Sequence, residues 1–284
     1  MSKKLMSIIL ALVVIVGMMP MAAMAEVGGD VTKSILVFED MPQDWSTEAL
    51  ENAIENGLLN GSNGKILPND NLTRAEMAAI INRSFKSHKE ASLEEFKDVL
   101  PEAWYYKEMA KAVQMKTFQG NKGLLNPDAP ITREEAFAVI SRAFKVENTK
   151  KSPKGYSDLS DISVWAREEV YGLINAGYVQ GSNGMIKPKE TITRAEFAQL
   201  MYNLVKEYLN EPGEYKTVDK GNVMINVPSV TLKDVTVDGD LIIGDGVGTG
   251  DVILDNVIIN GRMVVRGGGK NSIIIKGASK IGKV

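Results

Sequence analysis

The sequence of 284 residues contains no cysteine and a single histidine. Without cysteine there is no disulfide, no thiol nucleophile and no thiolate metal site. His88 stands alone in the polar stretch KSHKEAS, which argues against a triad base or a multi-histidine metal site and marks it as a solvated loop residue. Positive charge is not in excess either. The net charge is −3, or −5 without Lys3 and Lys4, and a general nucleic-acid binder would show a basic face instead. Beyond the first 25 residues there is no apolar run long enough to span a membrane. Aromatic residues are unevenly spread: all 18 lie between Phe38 and Tyr215, and the 69 residues from Lys216 onward have none.

Residues 1–25 read as a secretory signal peptide. Lys3 and Lys4 supply the basic start, an apolar run extends from Leu5 to about Met19, and Ala23 and Ala25 stand at −3 and −1 of a cleavage point before Glu26. A lone membrane anchor is the competing reading. The short run and the Ala-x-Ala ending favour cleavage, which leaves an exported chain with no membrane partner and no nucleic-acid partner.

Three segments repeat: Phe38–Phe85, Phe96–Phe144 and Tyr156–Val205. In order, they align Phe38, Phe96 and Tyr156; Asp40, Asp98 and Asp158; Trp45, Trp104 and Trp165; Gly61, Gly120 and Gly181; Pro68, Pro127 and Pro188; Arg74, Arg133 and Arg194. Each reads as helix, loop, helix. In the first, Ala49, Leu50, Ala53 and Ile54 form an apolar stripe, and Gly57 stops the helix. NGSNG (Asn60–Gly64) is turn chemistry, Pro68 keeps the next residues out of a helix, and Thr73 with Glu76 forms a capping box. Met77, Ile80, Ile81 and Phe85 give the second helix its buried face. Thr132 with Glu135 and Thr193 with Glu196 repeat the box.

After Leu209–Tyr215, a Pro/Gly stretch that reads as a linker, the composition changes. The tail holds 12 glycines and 25 Val, Ile or Leu residues. Leu232, Val235, Val237 and Gly239 match Leu254, Val257, Ile259 and Gly261 at a period of 22, followed by one of 21. Short β-branched runs at such a period predict about three coils of a parallel β-helix or related solenoid, with alternate side chains inward. Asp240, Asp245, Asp251 and Asp255 read as solvated loop carboxylates, with calcium ligation as the minor alternative.

The repeated arginine begins a helix, where free N–H groups and a partial positive charge favour an anion and a guanidinium fork adds to it. A solvated surface arginine is the plainer alternative. The tryptophans read first as packing residues, or, partly exposed, as platforms for a sugar face. The aspartates cap a turn or accept sugar hydroxyls, and the glycines serve turns of positive φ or admit a ligand close to the backbone.

The Phe-x-Asp opening, the Trp, the Gly-rich turn, the Pro and the Thr-Arg-Ala-Glu motif together resemble the S-layer homology (SLH) domain, and three tandem copies are that family's usual arrangement. The resemblance covers roughly Ser34 to Tyr215. It implies an all-α, pseudo-threefold unit at 34–91, 92–151 and 152–215, followed by the small all-β segment at 216–284. It also implies a non-catalytic, cofactor-free anchor that holds an exported protein to the bacterial cell wall by binding secondary cell-wall polysaccharide, in its pyruvylated form, attached to peptidoglycan. Carried over by motif position, Arg74, Arg133 and Arg194 contact the pyruvyl carboxylate. Asp40, Asp98, Asp158, Gly61, Gly120 and Gly181 would help hold the sugar, and Trp45, Trp104 and Trp165, as partly exposed rings, are the candidates to stack on it. The second copy departs with TREE, with Lys116 in place of Gly57 and Gly177, and with GNKG. Glu134 beside Arg133 is expected to weaken that groove relative to those of Arg74 and Arg194. A polysaccharide-active β-helix enzyme and a structural surface-layer subunit are the alternatives.

Overall fold

The computed structural model describes residues 38–284; the signal-peptide reading lies outside the described residues. Six helices come first: α1 (Thr47–Glu55), α2 (Arg74–Phe85), α3 (Tyr106–Gln114), α4 (Arg133–Ala143), α5 (Arg167–Asn175) and α6 (Arg194–Leu204). Among these described helices none is long and apolar enough to cross a membrane. Helices of nine to twelve residues are marginal alone, so their stability comes from packing. Partners are exchanged around a ring. The second helix of each repeat packs on the first helix of the next: α2 on α3, α4 on α5, and α6 back on α1.

The ring closes at the entrances of α2, α4 and α6. Leu72 N–H donates to the Ile192 carbonyl (3.0 Å), Ile131 N–H to that of Leu72 (2.9 Å), and Ile192 N–H to that of Ile131 (3.1 Å). The three residues are fully or almost fully buried, so the bonds form in a dry centre where an unpaired amide would be costly. All three capping boxes form as the sequence predicts. Gly61 is needed for a steric reason rather than for its φ, which is not positive. A Cβ there would overlap the Phe38 ring and the Lys65 carbonyl. Gly120 and Gly181 face the same crowding from Phe96 and Tyr156, and do have positive φ.

The second part is a parallel β-solenoid of about three turns. One sheet orders β1 (Glu207–Leu209), β3 (Val223–Ile225), β6 (Leu241–Ile243), β8 (Ile258–Val265) and β10 (Lys280–Lys283), with β5 (Thr236–Val237) beside β8. The other orders β2 (Gly213–Tyr215), β4 (Val230–Lys233), β7 (Val252–Asp255) and β9 (Ile273–Lys276). The pairs Leu232–Leu254 and Val237–Ile259 fall in register as the repeat predicts. Leu209–Tyr215 is not a linker: it carries the end of β1 and all of β2, so the solenoid begins directly after α6.

Alternation holds in β4 and β7, whose residues are in turn buried and half-buried. It fails in β3 and β6, buried at every position. The cause is tertiary. Tyr208, Met224, Ile242 and Val264 face outward from the solenoid into the core of the helical unit. Solenoid side chains also cap the second helices. Asn226 Nδ2 donates to the Ser84 carbonyl (2.7 Å), Arg266 Nη1 to that of Ala143 (3.2 Å), and Asn222 Nδ2 to that of Leu204 (2.8 Å). Ser84, Ala143 and Leu204 occupy the same position in the three repeats, among the C-terminal carbonyls that a helix leaves unpaired. Arg266 also donates to Met115 O (3.1 Å) and stacks over the Phe85 ring.

Asp240 and Asp245 are not solvated loop carboxylates. Asp240 is buried and held by Arg262 Nη2 at 2.6 Å, and Asp245 lies 3.5 Å from Arg266. Among the described residues there is no acidic cluster able to hold a metal ion.

Two predictions follow from this packing. Arg266→Ala removes donors from two carbonyls in the interface and should cost about 2–3 kcal/mol in urea unfolding, which Arg266→Lys should not fully restore. Lys116 has a left-handed backbone (φ 61°), as do Gly57 and Gly177. Lys116→Gly should therefore raise stability by up to about 1 kcal/mol in the same assay, strain relief outweighing the added chain entropy.

Candidate ligand grooves between the repeats

Arg74, Arg133 and Arg194 are each the first residue of their helix, as expected, but the surrounding N–H groups are not free. Arg74 N–H donates to Ala129 O and Ala75 N–H to Pro127 O; Arg133 and Glu134 bond in the same way to Glu190 and Pro188, and Arg194 and Ala195 to Asp70 and Pro68. The third N–H of each helix goes to its capping threonine. The helix ends therefore offer no open backbone nest for an anion. The expectation of an N-terminal N–H clamp is corrected: the next repeat already fills it.

The guanidinium groups cross the same joints. Their Nε atoms donate to the carbonyls of Leu125, Ile186 and Ile66 at 2.7–2.8 Å. Arg74 Nη1 then meets Glu135 (2.9 Å), and Arg133 Nη1 meets Glu196 (2.8 Å). In each glutamate the other carboxylate oxygen completes the capping box. The third joint differs: Arg194 Nη2 donates to Asn60 O at 2.8 Å. Arg74 stacks over Phe118 and Arg133 over Phe137. Burial pushes the pKa of Arg74 down, opposed by Glu135 and Asp98, and that of Arg194 down, opposed by Glu76 and Asp70. Both remain protonated at neutral pH.

Asp40, Asp98 and Asp158 act on the other side of the same peptides. Asp40 accepts from Ile66 and Leu67 N–H (2.7 and 2.8 Å), Asp98 from Leu125 and Asn126, and Asp158 from Ile186 and Lys187. One segment per repeat, at whose second residue the backbone turns left-handed (Leu67, Asn126, Lys187), is thus held by its own aspartate through N–H groups and by a neighbour's arginine through a carbonyl.

The tryptophans are not core residues. Trp45, Trp104 and Trp165 are 60%, 61% and 55% exposed. Their helices bury Ala49, Leu50, Met109 and Val170 instead.

Two equivalent grooves result, each of about 600 Å³ and each lined by all three repeats. One combines Arg74 and the Gln119–Gly120 turn with Glu135 and Trp165. The other combines Arg133 and the Gln180–Gly181 turn with Glu196 and Trp45. Sequence reading missed Glu135, Glu196 and the amide side chains of Gln119, Gln180, Gln199 and Asn203 in these walls. The glutamates carried a visible signal, a capping-box carboxylate with one oxygen to spare, and Gln119 and Gln180 recur with Asn60 as an amide before the turn glycine, whereas Gln199 and Asn203 stand where the other copies have alanine and arginine. Glu134 does not stand in the Arg133 groove. It is buried against Ser163 and Lys189, so its charge gives no reason to rank that groove below the others.

A closed ring of three helix-loop-helix repeats with grooves at its joints defines a class of cyclic repeat module. Residues 37–78, 95–137 and 155–198 match the S-layer homology domain, and the chain is an S-layer homology domain protein with three tandem copies. It is similar to the S-layer protein sap of Bacillus anthracis, 26% identical over 79% of this chain and 29% of that one. It is also similar to the surface-layer 125 kDa protein of Lysinibacillus sphaericus, 29% identical over 68% of this chain and 16% of that one. An amylopullulanase of Thermoanaerobacterium thermosulfurigenes is 31% identical over 60% of this chain and 10% of its own length. The chain thus matches less than a third of the length of each of these relatives.

Arg74→Ala should cost about 3 kcal/mol of stability, because Glu135 and the Leu125 carbonyl lose their partner together; chemical denaturation measures it. Burial alone would push the Asp40 carboxyl up, but the Ile66 and Leu67 N–H groups outweigh it and hold the pKa below its ordinary 3.8. The stabilisation is complete above the unfolded value and is lost as pH falls through the lower folded value. Asp40→Asn should therefore flatten the decline of melting temperature below about pH 4.

Proposed function

We propose that this protein is an exported, non-catalytic anchor held at the bacterial cell wall by secondary cell-wall polysaccharide bound in the grooves between its SLH repeats. The observation that supports this most directly is the recurrence of one lining in two grooves: an arginine edge, a glycine turn and a tryptophan face, each from a different repeat. An exposed tryptophan matches the apolar face of a sugar ring, and the amides of Gln119 and Gln180 match its hydroxyls. The ligand's charge comes from ketal-linked pyruvate, whose carboxylate fits the guanidinium edge left open after the carbonyl and glutamate bonds. Arg74, Arg133 and Arg194 act as both joint and contact. Asp40, Asp98 and Asp158 shape the turn over which the sugar lies, with Gly61, Gly120 and Gly181 keeping its backbone approachable.

Because the arginines hold the ring together, the tryptophans give the cleaner test. In sedimentation with purified walls, Trp45→Ala and Trp165→Ala should each weaken binding by about 1–2 kcal/mol. Both should leave stability within about 0.5 kcal/mol. Removing pyruvate from the walls should abolish most of the binding. Sedimentation indifferent to both treatments would sink the proposal.

A further inference from the structure

The second repeat's TREE places a carboxylate where the other two copies have Ala75 and Ala195. Glu134 is 4% exposed, yet it belongs to a helix whose neighbours are apolar. Its carboxylate is fully used. One oxygen accepts the Ser163 backbone N–H (2.9 Å), and the other accepts the Ser163 hydroxyl (2.8 Å) and Lys189 Nζ (2.6 Å). All three partners belong to the third repeat. A buried carboxylate persists only with such pairing, so the contact is a specific one.

Ser163 opens the turn that carries Trp165. Ala166 N–H donates to the Ser163 carbonyl (3.0 Å), which places Trp165 inside that turn, and Ile162 before it and Ala166 after it are buried. Trp165 is the exposed aromatic wall of the Arg74 groove. The turn before α1 is fastened within its own repeat, where Asp44 accepts the Ser46 N–H (2.8 Å). The alanines at the Glu134 position offer no acceptor to the turns of Trp45 and Trp104.

We infer that Glu134 is a positioning residue for the Arg74 groove: through Ser163 it fixes the Trp165 turn from the neighbouring repeat, so that this groove's aromatic wall is held across a joint as well as within its own repeat. Glu134 touches no ligand itself. It reduces the ordering that Trp165 must undergo on binding, which strengthens the hold of that groove on a glycan. The part concerning binding rests on the anchor reading; the part concerning the turn does not.

Two measurements separate these parts. The first needs no ligand. In Glu134→Ala, which restores the residue of the other copies, hydrogen exchange at the Ser163 amide should accelerate at least about tenfold. In proteins keeping one tryptophan at a time, acrylamide quenching should rise for Trp165 and stay unchanged for Trp45 and Trp104. Lys189→Met should give the same pattern in smaller measure, and far-UV circular dichroism should remain native. Unchanged exchange, or equal loosening of all three tryptophans, would overturn the inference. The second uses purified walls. Glu134→Ala should weaken sedimentation about threefold to tenfold in the native background and cause no further loss beside Trp165→Ala. Independent, multiplying losses would overturn the positioning role. If the unaltered protein ignores walls altogether, the anchor reading falls, while exchange and quenching still decide whether Glu134 holds the turn.

Discussion

Closure of the ring by its third joint is the constraint on which the rest depends. Two joints alone would give an open array with an exposed α1 face and an exposed α6 face. The return of α6 to α1, sealed by the Leu72–Ile192 bond and by Arg194 on Ile66 and Asn60, removes both. Only then does Trp45 of the first repeat reach the Arg133 groove, whereas the Arg74 groove is assembled by the second repeat's joints with its two neighbours. Each groove is therefore a product of joints between repeats rather than a property of one repeat, and no single copy contains a complete one.

The same residues serve fold and surface, and this limits how separable the two are. The arginine that faces the groove also binds the carbonyl of the segment its neighbour's aspartate grips. Glu135 and Glu196 divide their oxygens between a helix cap and an arginine. Polar groups buried at the joints must be satisfied in full, since a joint missing one partner costs more than a joint with none. The second repeat adds Glu134 at such a joint with all its partners supplied, which is why an acidic residue is tolerated beside an arginine.

Much of this was legible in the sequence, for physical reasons that can be named. Capping boxes are local, and all three formed. The period of 22 survived because parallel coils stack equivalent residues, so Leu232 must meet Leu254. The readings that failed involve distance along the chain. The N–H groups of Arg74 and Ala75 appeared free because their acceptors lie more than 50 residues away. The tryptophans appeared to be core because aromatic residues are usually buried, yet smaller residues fill that role here. Leu209–Tyr215 appeared to be a linker because proline and glycine also suit the first rung of a solenoid. The continuous burial of β3 and β6 was not read from LII and VMI, since only a covering layer makes both faces of a strand apolar.

The seating of the solenoid has a mechanical meaning. Its side chains grip Ser84, Ala143 and Leu204, one carbonyl at the far end of each long helix, while the peptide chain itself joins only the last of them. Tension arriving along the solenoid is therefore divided among three helix axes in parallel. Such a joint yields when its bonds break together, not one after another, and it resists twisting as well as pulling. A single flexible tether would transmit neither orientation nor torque; this one transmits both.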